Sequence, residues 1–88
     1  MAKQTFTAPG TSEVIVSSHH GVSYFLTLVS GTASAVVEML INGEWKPVTA
    51  AITATTTAVG IVANDRGSAA QYRWSVTALT GTVITYLE

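Results

Sequence analysis

No cysteine occurs in the 88 residues, so neither a disulfide nor a thiolate-zinc site can supplement the core. Charge is scarce too. Asp, Glu, Lys and Arg make up 10% of the chain, against about 25% in an ordinary soluble domain. Four Lys and Arg against five Asp and Glu leave a net charge of −1, so the basic footprint that nucleic acid requires is missing. Apolar residues reach 48%, yet no apolar run approaches the roughly 18 residues of a membrane helix. The opening Met1-Ala2-Lys3-Gln4-Thr5 lacks the apolar core of a signal peptide, so synthesis in the host cytoplasm without a cleaved leader is expected. A mass of 9.2 kDa suits one domain, whose folded surface should be roughly 4,900 Å².

What is abundant is β-branched. Fourteen Thr, 11 Val and five Ile account for 30 of the 88 positions, and such residues favour a pleated, half-buried surface over a helix. Period-2 alternation recurs along the chain. Val22, Tyr24, Leu26 and Leu28 point one way, and Ser23, Phe25, Thr27 and Val29 the other. Ala35, Val37, Met39 and Ile41 form a second inward row, with Glu38 outside. Tyr72, Trp74, Val76 and Ala78 alternate with Gln71, Arg73, Ser75 and Thr77, while Val83 and Leu87 oppose Ile84 and Tyr86. Asn42-Gly43 is a strong hairpin signal because a type I′ turn needs two residues at positive φ. Ser30-Gly31 and Thr80-Gly81 read as further two-residue turns, and His19-His20-Gly21 and Asn64-Asp65-Arg66-Gly67 as loops. Pro47 places its strand at an edge or a bulge. Residues 50–63 read as two short strands joined near Ala58. No internal repeat of 20 residues or more stands out. The expected fold is all-β, a compact antiparallel sandwich or jelly-roll-like small barrel of about eight short strands. Residues 1–9 form an extended leader and 10–88 the single β-sandwich domain.

Catalytic chemistry is hard to assemble from this inventory. His19 and His20 are adjacent, and neighbours on a strand point to opposite faces, which makes a poor chelate. Ser18, His19 and Asp65 could be drawn as a triad, but no nucleophile-elbow spacing supports them. The acidic residues are too scattered for a glycosidase pair, and the seven glycines are dispersed rather than gathered in a phosphate loop. The expectation is a non-enzyme with no metal or cofactor. Tyr24, Tyr72 and Trp74 fall on inward faces as packing anchors, whereas Trp45, after a turn and before Pro47, is the best candidate for an exposed aromatic.

The outward positions carry the functional signal. Phe25, Val29, Val36, Leu40 and Ile84 are apolar where an isolated sandwich would place polar groups. In a small domain only one sheet face can meet the chain's own core. The other needs a second copy or a scaffold to cover it. Arg73, mid-strand and outward, reads either as an exposed stem lying across a neighbouring strand or as half of an intersubunit ion pair with Glu38 or Asp65 of another copy. An oligomer or capsid interface of Phe25, Val36, Leu40, Arg73 and Ile84 is the resulting expectation. Lys3, Gln4, Thr5, Phe6 and Thr7 are available to add a strand to a neighbour's sheet edge.

Several short motifs run through the chain in order. They are Ala8-Pro9-Gly10-Thr11-Ser12, Ser30-Gly31-Thr32-Ala33, Asn42-Gly43-Glu44-Trp45 and the stretch from Tyr72-Arg73-Trp74 to Thr82-Val83. Together they resemble the small all-β virion proteins of tailed bacteriophages, the capsid decoration (cement) and head- or tail-fibre type. The resemblance implies a structural protein on the virion capsid surface. It also implies self-association, often as a homotrimer, and a major capsid protein or other virion protein as partner. Neither nucleic acid nor membrane is implied. A tail- or fibre-associated module for attachment or carbohydrate binding, using Trp45, is the alternative.

Overall fold

The structure is a computed structural model that describes residues 2–17, 21–54, 57–62 and 70–88. These residues are all-β. Eight strands form one antiparallel sheet: β1 (Ala2–Phe6), β2 (Gly10–Thr11), β3 (Ile15–Ser17), β4 (Val22–Ile41), β5 (Glu44–Pro47), β6 (Ile52–Ala54), β7 (Thr57–Val62) and β8 (Ala70–Leu87). β4 and β8 run side by side through the middle, from the pair Tyr24 and Leu87 to the pair Met39 and Tyr72. The short strands line the two outer edges in series. β1, β2 and β3 pair with β8, and β5, β6 and β7 with β4.

The central ribbon is sharply bent. A straight strand of 20 residues would span about 66 Å at ~3.3 Å per residue, yet the molecule is only 38 Å in its longest dimension. Gly31 and Gly81 lie opposite each other at the crease, with φ of 77° and 96°. A Cβ at Gly31 would overlap the Thr80 carbonyl, and one at Gly81 the Ser30 carbonyl. The edges reinforce the bend. Phe6 pairs with Val83 and Gly10 with Val76. Phe6 to Gly10 can reach at most about 14 Å, whereas Val76 to Val83 would need about 23 Å if β8 were straight. Straightening therefore breaks edge pairing.

Two bulges keep the apolar rows on the concave side. Leu28 pairs with Val83 and Ser30 with Thr82, leaving Val29 extra in β4; Ser34 pairs with Ala78 and Ala35 with Val76, leaving Thr77 extra in β8. Each extra residue switches the parity of the positions that follow. Buried positions accordingly pass from Val22 and Leu26 to Ala33, Ala35, Val37 and Met39 in β4. In β8 they pass from Ala70, Tyr72, Trp74 and Val76 to Val83, Thr85 and Leu87. Ala78 is turned outward by the Thr77 bulge, against its expected inward place. The doubled-over sheet closes on Trp74. Its ring meets the Tyr24 ring edge-on at 5.5 Å, and its Nε1–H donates to the Tyr86 carbonyl at 2.7 Å. Trp74 and Tyr86 belong to the same strand, so this bond exists only because the strand folds back.

Hydroxyl side chains fill the gaps between successive edge strands. Trp74 and Val37 are cross-strand partners. The Trp74 carbonyl accepts from Ser12 N–H at 2.9 Å, and Trp74 N–H donates to Ser12 Oγ at 2.8 Å. On the opposite edge the Val37 carbonyl accepts from Val48 N–H at 2.8 Å, and Val37 N–H donates to Thr49 Oγ1 at 3.1 Å.

Several expectations change. Ala2–Phe6 are not a free leader. β1 is an edge strand of the same sheet, and Phe6 is buried at 6% exposure, so the sheet starts ahead of the expected boundary at residue 10, with Lys3, Gln4 and Thr5 on an edge strand. Ser30-Gly31 and Thr80-Gly81 make a crease inside long strands rather than two hairpins. Asn42-Gly43 does turn the chain, at φ of 51° and 79°. Residues 50–63 do hold two strands, β6 and β7, the second starting at Thr57 ahead of Ala58. Both layers of the expected sandwich belong to one continuous sheet.

An internal repeat also emerges. Shifting β4 by 50 residues onto β8 superposes Thr27 on Thr77, Gly31 on Gly81, Thr32 on Thr82 and Glu38 on Glu88. The same shift converts the pair Tyr24–Leu87 into Trp74–Val37, and Leu26–Thr85 into Val76–Ala35. The central ribbon is thus pseudo-two-fold about the crease.

Two predictions test this construction. Gly31→Ala and Gly81→Ala should each lower unfolding free energy by about 3 kcal/mol or more, through carbonyl overlap added to left-handed strain. Gly43→Ala, which meets no atom within 4 Å, should lose only about 1–2 kcal/mol by urea denaturation. Ser12→Ala and Thr49→Val should each cost about 1–3 kcal/mol in the same assay, since each strips the partner from a backbone N–H of a central strand.

Candidate functional site

The concave face is filled by the chain itself, so candidate interaction residues lie on the convex faces of the two half-sheets. Alternation puts them there. In β4, Phe25 stands between inward Tyr24 and buried Leu26; in β8, Ile84 and Tyr86 flank buried Thr85. Phe25 and Tyr86 are cross-strand partners whose rings meet edge-on at 5.2 Å. Lys3, opposite Tyr86 on β1, holds its ammonium 5.5 Å from the centre of that ring. Such a contact at an exposed site contributes about 0.5–1 kcal/mol. Phe25, Tyr86 and Glu88 line a shallow depression of about 310 Å³.

The other half presents Val36, Glu38 and Leu40 from β4, Trp45 from β5 and Arg73 from β8. Leu40 pairs with Trp45, and Glu38 with Arg73, in register. Arg73 Nε donates to Glu38 Oε1 at 2.8 Å, and the guanidinium lies 4.2 Å from the centre of the Trp45 ring. The side chains are 24% and 15% exposed. Arg73 is thus paired within its own chain, and the intersubunit pair with Glu38 of another copy gives way to this contact. Trp45 is half-buried, with Arg73 over its ring.

The expected interface residues therefore divide between two places. Phe25 and Ile84 lie on one convex half, Val36, Leu40 and Arg73 on the other, and all five are half-buried. Val29, extruded by its bulge, is 58% exposed. Tyr86 is the site residue that the sequence expectation left out. Its spacing two residues from Ile84 and its place in an aromatic-rich terminal strand were the available signal. Ser18, His19, His20, Asp65 and Arg66 lie outside the described residues. Among the described residues no three of His, Cys, Asp and Glu are placed to hold a metal ion. Lys46 and Glu44 form a 3.0 Å pair at the turn, well exposed and correspondingly weak. Comparison with protein-family models, curated proteins and solved structures finds no match.

The contrast between the two ion pairs can be measured. A double-mutant cycle on Arg73→Ala and Glu38→Ala should give a coupling energy of about 1 kcal/mol, because the pair is sheltered and its guanidinium rests on Trp45. The same cycle on Lys46 and Glu44 should give about 0.5 kcal/mol or less, vanishing in high salt.

Proposed function

We propose that the chain is a non-enzymatic structural protein of a tailed-phage virion, a capsid decoration protein whose copies associate and reinforce the head shell. The observation that carries this reading is the apolar character of both convex faces. Phe25, Ile84 and Tyr86 on one half, and Val36 and Leu40 on the other, stand on the side of the sheet turned away from its own core. Large side chains so placed gain stability when another surface excludes water from them, at about 25 cal/mol per Å² of apolar area buried. With only nine charged residues in the chain, little opposes self-association. Many copies on a symmetric lattice multiply individually weak contacts, so a small module can raise the free energy of shell rupture. The resemblance of the Ser30–Ala33, Asn42–Trp45 and Tyr72–Val83 motifs to phage virion proteins points the same way. Stacking a sugar on Trp45 has less support, since the Arg73 guanidinium already lies against that ring.

The test is mechanical. Heads assembled without the protein should rupture at lower temperature and milder osmotic shock than decorated heads. Adding back the wild-type chain should restore robustness, whereas Phe25→Ser or Leu40→Ser should restore less than half of it. Equal robustness of bare and decorated heads would reject the decoration role.

A further inference from the structure

The pseudo-two-fold of the central ribbon makes the two convex faces comparable position by position, and one position is incomplete. The 50-residue shift carries Glu38 onto Glu88 and Arg73 onto Ser23. In one half, Glu38 faces Arg73 across the strands with its carboxylate neutralised at 2.8 Å. In the other, Glu88 faces Ser23 through reciprocal backbone hydrogen bonds of 2.7 and 2.9 Å. Serine brings no charge, and among the described residues Glu88 makes no ion pair. Beside it lies the depression walled by Phe25 and Tyr86. Trp45 reaches the Arg73 guanidinium from edge strand β5, whereas here the two rings belong to β4 and β8 themselves, at the pair Phe25–Tyr86 next to Ser23 and Glu88. Tyr86 already draws the Lys3 ammonium toward its ring from the far side of β8, so the aromatic surface here is one that attracts cations.

We propose that this depression binds an arginine side chain of a partner polypeptide, reproducing in trans the contact that Arg73 makes with Glu38 and Trp45 in cis. A guanidinium fits the chemistry better than an ammonium. It is planar, stacks on aromatic rings, and presents a fork of donors to a carboxylate while being weakly hydrated. The inference goes beyond the virion reading and does not depend on it.

The experiment titrates the full ¹⁵N-labelled chain with N-acetyl-arginine methylamide, and in parallel with its neutral citrulline analogue, in low salt. The expected result is saturable shifts of the Ser23, Phe25, Tyr86 and Glu88 amides in the millimolar range, at least tenfold weaker for citrulline. Glu88→Gln, at an exposed position, should weaken arginine binding at least tenfold without altering the rest of the spectrum. Ser23→Arg should supply the missing cation in cis, raise the unfolding midpoint and abolish the titration. Equal response to arginine and citrulline, no saturable shift, or binding indifferent to Glu88→Gln would overturn the proposal. Any of these outcomes leaves the decoration role to be judged by head stability alone.

Discussion

A two-stranded ribbon doubled back around one tryptophan is the constraint on which the rest of the molecule depends. Neither half of the sheet could cover its own apolar row, because an open four-stranded ribbon leaves one face wet. Folding the ribbon at Gly31 and Gly81 lets Trp74 and Tyr72 in one half meet Tyr24, Leu26, Val83 and Leu87 in the other. The total surface of 4716 Å² is close to the roughly 4,900 Å² of a compact chain of this mass. The concave side is thereby used up. Among the described residues no further layer stands above the convex side, and Phe25, Val36, Leu40, Ile84 and Tyr86 are only half-buried.

The unusual composition follows from the same geometry. Edge strands of two to six residues leave breaks where the long strands would otherwise have unpartnered backbone groups, and each such group is expensive to bury. Ser12 and Thr49 are short enough to lie in the edge and still offer an oxygen to the backbone N–H of Trp74 or Val37. Buried Thr85 donates to the Gln4 carbonyl at 3.3 Å, and Thr32 and Thr80 share a 2.6 Å hydrogen bond across the ribbon next to the crease. A charged side chain could not serve at these places without heavy desolvation. Threonine supplies both a β-branched stem for the strand and the hydroxyl for the break.

Local rules in the sequence were legible, and long-range identities were not. Alternation placed Tyr72, Trp74, Val37 and Leu87 inward because the pleat fixes side-chain direction within a few residues. Asn42-Gly43 turned as its chemistry requires. The same local logic misread Ser30-Gly31 and Thr80-Gly81. A glycine at positive φ is equally suited to a hairpin and to a crease, and only its partner across the sheet distinguishes the two. Phe6 looked like part of a polar leader because its partner, Val83, lies far along the chain. The repeat is faint in the sequence for a related reason. Aligned over residues 22–38 and 72–88, the two copies agree at only four positions, although away from the bulges at Val29 and Thr77 they agree in which positions face the core.

Where the copies differ is itself informative. Inward positions related by the 50-residue shift are alike in kind: Tyr24 and Trp74, Leu26 and Val76, Ala33 and Val83, Val37 and Leu87. Outward positions are mixed: Thr27 and Thr77, and Glu38 and Glu88, are identical, but Phe25 corresponds to Ser75, Ser23 to Arg73, Ile84 to Ser34 and Tyr86 to Val36. Folding requires likeness only on the concave side, where the two copies must pack against each other, so it cannot account for the outward differences. Those differences gather on one half the charge pair sealed over Trp45, and on the other two aromatic rings beside a carboxylate. A molecule nearly symmetric inside therefore has two dissimilar outer faces. If it docks on a larger surface, the half bearing Phe25, Tyr86 and Glu88 is the one whose charge is left unpaired among the described residues.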